Sequence, residues 1–201
     1  MIMLPFASGE PYFFFVDILA MLTVLGNILV PLLILVLAWE IVSKKGCSSI
    51  TRFIARHGLL LMLIVAVIGT TGSLYFSEVM LWRPCRFCWI QRLFMYPQVF
   101  LLGLALILHD RSIIRYVLFF SVIGMLAAGW HYYEQVMAIL YPAVYDVMEP
   151  CDATGISCKA TEILYFGYIT IPVMAFIGFA LNALGSIAVL REKRMAVQSM
   201  N

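Results

Sequence analysis

Four of the five cysteines fall into two pairs, and cysteine pairs can perform thiol–disulfide exchange, close a structural disulfide or bind a metal. The first pair is a Cys-x-x-Cys, Cys85 and Cys88, and the second is Cys151 and Cys158. Four thiolates also match the ligand set of a structural zinc site. The compartment that the cysteines face decides between these chemistries, because disulfides persist mainly in oxidising compartments.

Most of the chain consists of segments that can cross a membrane. Of its 201 residues 64% are hydrophobic and 12% are charged, whereas a soluble domain has about 45–50% and about 25%. A transmembrane helix needs about 20 mostly apolar residues, and five segments meet that length: 13–40, 58–80, 89–108, 113–133 and 163–189. The composition therefore excludes a soluble globule, and the lack of a basic tract predicts no nucleic-acid binding.

The first segment can be interpreted as a membrane span or as a cleaved signal peptide. A signal peptide needs a basic region before a shorter apolar core, but no Lys or Arg precedes residue 13, so the sequence favours an uncleaved span. Nine of the 13 basic residues fall on one side of the spans: Lys44, Lys45, Arg52, Arg56, Arg111, Arg115, Arg191, Lys193 and Arg194. The positive-inside rule makes that side cytoplasmic, so we expect the N-terminus outside and the C-terminus inside.

This topology places both cysteine pairs outside, where disulfides are permitted. Cys85 and Cys88 lie where the chain enters the third span, and the second pair lies in the loop of about residues 134–162. Residues 136–145 of that loop are apolar but too short to span, which predicts an interfacial segment along the membrane surface. Cys47 is expected on the cytoplasmic side.

The Cys-x-x-Cys pair lies where a helix is expected to begin, and unpaired backbone N–H groups there favour a thiolate. A structural disulfide and half of a zinc site stay open as alternatives for the motif alone. Arg92, one turn inside the apolar third span, favours redox chemistry over zinc. A charged group at this depth is costly unless it snorkels to the headgroups or meets a partner. A quinone being reduced is such a partner, because it gains negative charge.

Four blocks of the sequence together resemble the bacterial disulfide bond formation protein B family. They are LYFSEVMLWRPCRFCWIQRLFMY from residue 74, Tyr133-Glu134-Gln135 with Leu140-Tyr141-Pro142, Cys151-Asp152, and Gly167-Tyr168-Ile169-Thr170-Ile171-Pro172. The resemblance implies an all-α integral protein of the bacterial inner membrane. Its four-helix bundle would cover residues 58–190, with an additional transmembrane helix and cytoplasmic loop in residues 1–57 and a cytoplasmic tail in residues 191–201.

The resemblance also implies an activity, the reoxidation of an extracytoplasmic DsbA-like partner with a thioredoxin fold. A loop disulfide between Cys151 and Cys158 would accept electrons from the partner through Cys151. A Cys85–Cys158 interloop disulfide would pass them to Cys85 and Cys88, and from there they would reach ubiquinone or menaquinone. Cys88 would attack the quinone or form a charge-transfer contact with it, and Arg92 would stabilise the negative charge that develops.

Four further residues are candidate quinone contacts: Gln91, Trp89, Gln135 and His131. Some relatives have a histidine where this chain has Gln135, and His131, one turn earlier, can substitute for it or serve as a hydrogen-bonded packing residue. Gln91 stands where family members often carry Glu, and Trp89 follows Cys88 in an aromatic belt that membrane boundaries have in any case. The alternatives to a thiol:quinone oxidoreductase are a partner-dedicated thiol oxidoreductase and a zinc-binding or structural membrane protein.

Overall fold

The computed structural model describes residues 13–43, 46–147, 150–151, 153 and 155–198. Its helices are α1 (Phe13–Val42), α2 (Ser49–Glu78), α3 (Arg86–Leu108), α4 (Ile114–Leu140) and α5 (Ile171–Gln198), with a 3-10 turn, Arg111–Ile113, before α4. All five helices are long and apolar enough to cross a membrane. The predicted all-helical fold with five spans is therefore confirmed. Lys44, Lys45 and Asp152, on which sequence predictions rest, lie outside the described residues.

Local signals set the ends of the helices. The Ser48 hydroxyl caps α2 by accepting the Thr51 N–H at 3.2 Å, a standard way to satisfy a free N–H of the first turn. Cys85 is the N-cap residue of α3 and follows Pro84 in an extended conformation, without a side-chain cap hydrogen bond. Helix α4 ends at Leu140, because Pro142 disfavours a helical conformation in the residue before it.

Three predicted boundaries were wrong. The second span begins at residue 49 rather than 58, because the Ser48 cap starts the helix nine residues earlier. Residues 136–145 do not form a separate surface segment, since no helix breaker precedes Pro142 and α4 continues to Leu140 with Ala138 buried. The fifth span begins at Ile171 rather than 163, because Phe166 and Gly167 adopt positive φ angles in a turn closed by the Tyr165–Ile169 bridge.

Helix α5 lies at the centre of the bundle and packs against α1, α2 and α4. Small residues allow these close approaches: a Cβ atom at Gly58 of α2 would lie 2.9 Å from Val189 of α5. Gly124 of α4 meets the ring of Phe179, which is fully buried. Small residues at helix contacts are typical of bundles in a membrane, where helix association depends on close packing.

The connections alternate between two ends of the bundle. We call the end that carries the Cys-x-x-Cys motif and residues 141–170 the cysteine end, and the opposite end the basic end. At the basic end the buried Glu40 of α1 accepts hydrogen bonds from Thr51 at 2.6 Å and from the backbone of Ser48 at 2.9 Å. Arg191 of α5 pairs with the same carboxylate at 3.2 Å. This polar cluster fixes the end of α1 to α2 and α5.

Candidate functional site

Cys85 and Cys88 face each other where α3 begins. The Cys85 carbonyl accepts the first helical N–H, from Trp89, at 3.1 Å, so the two side chains lie one turn apart on one face. Both residues are thiols, and their sulfurs are 3.3 Å apart. A disulfide, with an S–S bond of about 2.05 Å, requires a movement of about 1 Å from this arrangement. The pair is therefore positioned for reversible oxidation.

His131 of α4 reaches both cysteine pairs. Its ring is 2% exposed, and Nε2 lies 3.6 Å from Cys85 Sγ and 3.1 Å from the carbonyl oxygen of Cys158. Nδ1 lies 2.9 Å from the side-chain amide of Gln91, and the ring stacks on Phe87 at 5.5 Å. Because a carbonyl only accepts, Nε2 carries the proton in the neutral ring, and the Gln91 amide donates to Nδ1. His131 thus connects Cys85 to the backbone of Cys158.

The surroundings of Cys85 favour its ionised form. The pKa of Cys85 is lowered to about 4, first by the hydrogen bond with the Cys88 thiol and then by the hydrogen bond and positive charge of His131, against the opposing effect of burial. A low pKa keeps the sulfur ionised near neutral pH and makes it a good leaving group. The expectation of a lowered thiol pKa at this helix start thus agrees with the contacts of Cys85, although His131 was not foreseen as a cause.

Cys151 and Cys158 are joined in a disulfide, with their Cα atoms 5.8 Å apart. The two sulfurs differ in access: Cys158 is 2% exposed, whereas Cys151 is half-buried and its backbone N–H donates to the carbonyl of Ile156 at 3.2 Å. The buried residue of the disulfide, Cys158, contacts His131 through its carbonyl oxygen, and Cys151 is the more accessible of the two. A protein partner can approach Cys151 more readily than Cys158.

Arg92 lies one turn below Cys88 on α3 and is fixed by α2. Its Nε donates to the Ser73 hydroxyl and its Nη2 to the Ser73 carbonyl, both at 2.9 Å. The guanidinium also lies 5.2 Å from the centroid of the Trp89 ring. Arg92 therefore has protein partners that hold it inside the bundle, where a guanidinium is otherwise costly.

A cavity of about 720 Å³ opens beside the thiol pair, which is within the usual size range of ligand sites. Six of the sequence-predicted site residues line its wall: Cys85, Cys88, Gln91, Arg92, His131 and Gln135. Trp89 is absent from the described lining and is 59% exposed. The structure thus brings together all candidate contacts on α3 and α4 except Trp89, which contacts Arg92 instead.

Three buried polar atoms on the cavity wall have no hydrogen-bond partner among the described residues: Gln135 Oε1, Thr161 Oγ1 and Thr170 Oγ1. The Gln135 amide nitrogen, by contrast, donates to the Ala160 carbonyl at 3.1 Å. Buried polar atoms are normally satisfied, so such a group points to a ligand or water that completes it. Thr161 and Thr170 were not identified from the sequence, because an isolated threonine carries no signal of its own.

The thiol pair and His131 also offer three metal ligands. Their two sulfurs and one ring nitrogen lie within 4.8 Å of one another, and a Cys₂His set suits zinc with one open position. The predicted alternative of a four-cysteine zinc site does not form in this state, because the sulfurs of Cys151 and Cys158 are bonded to each other.

Comparison with known proteins assigns the chain to a family. A family model described as "Disulfide bond formation protein DsbB" matches residues 55–189. The probable disulfide formation protein C of Halalkalibacterium halodurans is 36% identical over 130 residues, which are 65% of this chain and 90% of that protein. Disulfide bond formation protein C of Bacillus subtilis is 42% identical over 118 residues, 59% of this chain and 81% of that protein.

A third relative, the SPbeta prophage-derived disulfide bond formation protein B of Bacillus subtilis, is 34% identical over 146 residues, 72% of this chain and 93% of that protein. No solved structure matches the chain significantly. The segment that the family model matches begins in α2 and ends in α5, so it contains both cysteine pairs and the cavity wall of α3 and α4, whereas α1 precedes it. The resemblance seen in the sequence is confirmed, and the chain belongs to the DsbB family of helical membrane proteins that form disulfide bonds.

Proposed function

We propose that the protein is a membrane disulfide oxidase that carries electrons from the dithiol of a DsbA-like, thioredoxin-fold partner to a quinone, ubiquinone or menaquinone. Membership of the family implies an oxidoreductase with a thiol-oxidase partner. The observation that supports the finer proposal is the position of the thiol pair between two different surroundings. His131 contacts both Cys85 and the backbone of Cys158 in the loop disulfide, and Cys88 lines the apolar cavity.

The first step is exchange between the partner and the loop pair. A partner thiolate attacks Cys151 Sγ, the Cys151–Cys158 bond breaks, and Cys158 leaves as a thiolate. The second partner thiol then attacks the mixed disulfide and releases Cys151. The partner loses two electrons and two protons and becomes a disulfide, and the loop pair becomes a dithiol. The greater accessibility of Cys151 supports it as the point of attack.

The second step transfers the two electrons between the pairs. Cys158 attacks Cys85 of an oxidised Cys85–Cys88 pair, Cys88 leaves, and an interloop disulfide joins Cys85 to Cys158. Cys151 then attacks Cys158, which restores the loop disulfide and releases Cys85. The arrangement in the structure, a loop disulfide with two thiols at residues 85 and 88, corresponds to the end of this step.

His131 supports the exchange as a positioning residue and hydrogen-bond donor. Its Nε2 is close enough to Cys85 to stabilise the departing thiolate, and its contact with the Cys158 carbonyl holds the loop near the thiol pair. The contact between the Gln91 amide and Nδ1 orients the ring so that Nε2 lies near Cys85 and the Cys158 carbonyl.

The residues of the cavity fit a quinone headgroup. The Thr161 and Thr170 hydroxyls can donate hydrogen bonds to the quinone carbonyl oxygens, and Gln135 Oε1 can accept one from a hydroxyl of the reduced headgroup. When bound, a quinone supplies an acceptor for two electrons and two protons. Cys85 and Cys88 release those electrons as their sulfurs join, and Arg92, one turn from Cys88, stabilises negative charge on this side of the cavity.

The proposal extends to the orientation of the bundle in the membrane. We propose that the basic end lies in the cytoplasm and the cysteine end outside the inner membrane, with the N-terminus outside. The distribution of Arg and Lys supports this orientation through the positive-inside rule. We propose that residues 1–57 contribute the additional transmembrane helix and a cytoplasmic loop and that residues 191–201 are a cytoplasmic tail, although α2 already begins at Ser49 and α5 extends as far as Gln198.

The test is a coupled assay with purified protein in nanodiscs, a reduced thioredoxin-fold partner and a soluble quinone. We expect quinone absorbance to fall with one partner disulfide formed for each quinone reduced. In a parallel trap, a partner that keeps only its attacking cysteine should break the Cys151–Cys158 bond and remain joined to Cys151, as located by peptide mapping, whereas Cys151→Ser, which has no loop disulfide, should form no such adduct. Absence of quinone reduction in the native protein, with the partner present and reduced, would contradict the proposal.

A second candidate function is metal binding, which the close approach of Cys85, Cys88 and His131 favours. In that case the reduced protein would retain one zinc ion per chain after dialysis, and the ion would protect both thiols from alkylation. Elemental analysis of the purified protein separates the two functions. Zinc at one equivalent together with thiols that quinone does not oxidise would replace the oxidase proposal.

A further inference from the structure

Helix α1 precedes the segment that the DsbB family model matches, yet it forms one wall of the cavity. The residues of α1 that line the cavity are Leu19, Leu22, Thr23, Leu25, Gly26 and Leu29. They recur every three or four positions, as expected for one face of a helix. The remainder of the family fold therefore does not enclose this cavity without α1.

Helix α1 is a fixed wall rather than a loose anchor. Near the cysteine end the buried Asp17 accepts a hydrogen bond from the Tyr165 hydroxyl at 2.6 Å. At the basic end Glu40 pairs with Arg191 and accepts from Thr51. Between these points Gly26 lies directly against Ile177 of α5, so closely that a side chain there would overlap. Polar contacts at both ends and tight packing between them hold α1 in place.

The part of the cavity along α1 leads away from the thiol pair and is apolar apart from Thr23, whose hydroxyl donates to the Leu19 carbonyl at 2.8 Å. From Leu19 to Leu29 the helix rises about 15 Å. Facing this stretch are Val65, Ile68 and Gly69 of α2 and Ile177 and Leu181 of α5. The polar groups of the wall, among them Cys88 and Arg92, lie at the cysteine end. The cavity thus has a polar head and a long apolar extension.

The apolar extension is open to the side. Leu22, Leu25 and Leu29 line it and are also 40–51% exposed, and α1 belongs to the helices that are long and apolar enough to span a membrane. A chain that lies in the extension can therefore enter from the bilayer without crossing a polar surface. This combination suits a ligand whose small polar head carries a long hydrocarbon tail.

We propose that α1, together with α2 and α5, forms a groove for the isoprenoid tail of the quinone. The proposal rests on the proposed function, since it assigns the tail of the same substrate whose headgroup is placed at Cys88 and Arg92. The groove binds the tail by shape, because lipid chains are as apolar as the tail and offer no hydrophobic gain by exchange. Helix α1 therefore selects for quinones with a long tail and contributes nothing to the chemistry of the thiols.

The test uses the full chain in nanodiscs and two quinones with the same headgroup, one with a single isoprenoid unit and one with a long isoprenoid chain. Leu29→Trp and Leu22→Trp fill the groove far from the thiols. We expect the KM for the long-tailed quinone to rise about tenfold, which corresponds to about 1.4 kcal/mol, while the values for the short-tailed quinone stay unchanged. Ile28→Trp is the matched control, because Ile28 is 55% exposed and is not among the lining residues.

A second readout does not depend on turnover. Purified native protein and the Ile28→Trp control should retain long-tailed quinone after nanodisc exchange, measured by extraction and chromatography, and the groove variants should retain much less. Where the Leu29→Trp protein does not fold, Leu29→Phe provides a smaller obstruction, and unchanged turnover of the short-tailed quinone shows that the fold is intact.

The outcomes separate the two proposals. Selective loss with the long-tailed quinone supports the groove. Equal loss with both quinones, or no loss with either, overturns the groove. If the native protein neither reduces nor retains any quinone, then the proposed function itself fails.

Discussion

The two cysteine pairs are built in opposite ways. Cys85 and Cys88 lie at the start of helix α3, in contact with the buried His131 and beside a cavity. Cys151 and Cys158 are joined in the segment between α4 and α5, and Cys151 is partly accessible to solvent. A pair on a rigid helix start can be tuned by fixed neighbours, whereas a pair on a loop can adapt to a protein surface. The contrast supports the proposal that the first pair reacts with the quinone and the second with the partner.

Removal of Cys88 gives the largest expected effect. In Cys88→Ser the thiol pair cannot close, so we expect steady-state quinone reduction to fall to background. The loop disulfide should still oxidise one equivalent of partner in a single turnover, measured by alkylation of the partner thiols. Cys47→Ser, at the basic end, is the control and should behave as native. Sustained turnover in Cys88→Ser would remove the distinction between the pairs.

Arg92 should affect the quinone step alone. Arg92→Ala removes the charge beside Cys88, and we expect kcat/KM for quinone to fall by roughly a hundredfold, about the effect of losing one preorganised donor. Arg92→Lys should be intermediate, because it keeps the charge but cannot reproduce the two hydrogen bonds to Ser73. Single-turnover oxidation of the partner by the loop pair serves as the internal control. An equal decrease in both steps would indicate a structural role for Arg92.

His131 should set the pH range of the thiol pair. The pKa of Cys85 is lowered to about 4, so the reduced protein should show thiolate absorbance at neutral pH and lose it as the pH falls through that value. His131→Ala removes a hydrogen bond and a positive charge that favour the thiolate. The midpoint should therefore move to higher pH, and exchange between the pairs near pH 5 should slow by roughly tenfold, or about 1.4 kcal/mol.

The control for this titration is His57→Ala, because His57 lies on α2 near the basic end, where its ring packs at a tilt against Phe53 and far from the thiol pair. The oxidised protein provides the baseline absorbance without thiolate. A titration of His131→Ala that coincides with the native curve would show that the histidine only packs against Phe87 and does not tune Cys85.

The sequence predicts the parts of this arrangement that depend on local pattern. Apolar runs predict five helices, and the spacing of Cys85, Cys88 and Arg92 predicts that they share one end of one helix. The residue type of Arg92 in an apolar span also indicates a functional group, because the bilayer penalises an unpartnered charge. Helix ends were less predictable, since caps such as Ser48 and turns such as Phe166-Gly167 act through backbone geometry rather than hydropathy.

Contacts between distant segments could not be predicted in the same way. Helical periodicity places His131 on a face of α4, but only the packing of α3 and the loop shows that it lies between Cys85 and Cys158. Similarly, nothing in the α1 sequence indicates that Leu22 and Leu29 line a cavity shared with α3. The role of Ser73 as the anchor of Arg92 likewise depends on the approach of α2 to α3.

The smallest expected effect concerns the anchor of the loop that carries the disulfide. Tyr165→Phe removes the hydroxyl that donates to the buried Asp17 at 2.6 Å. Burial and the hydrogen bond with Asp17 raise the pKa of Tyr165, so the phenol stays neutral across the working pH range. Loss of this donor should lower the free energy of unfolding by about 1–3 kcal/mol, which thermal unfolding would detect as about 2–4 °C for each kcal/mol.

Tyr168→Phe is the matched control for Tyr165→Phe. The Tyr168 hydroxyl accepts a hydrogen bond from the Asn27 amide at 3.1 Å in an exposed position, so its loss should change stability very little.

The hydrogen bond between Tyr165 and Asp17 should also influence the two cysteine pairs unequally, since Tyr165 follows Cys158 in the same loop. We expect Tyr165→Phe to slow partner exchange at the loop pair by less than tenfold and to leave the reaction of Cys85 and Cys88 with a short-tailed quinone unchanged. A variant that slowed the quinone step more than partner exchange would show that the loop and the thiol pair act as one rigid unit, and the contrast between a rigid pair and an adaptable pair would be wrong.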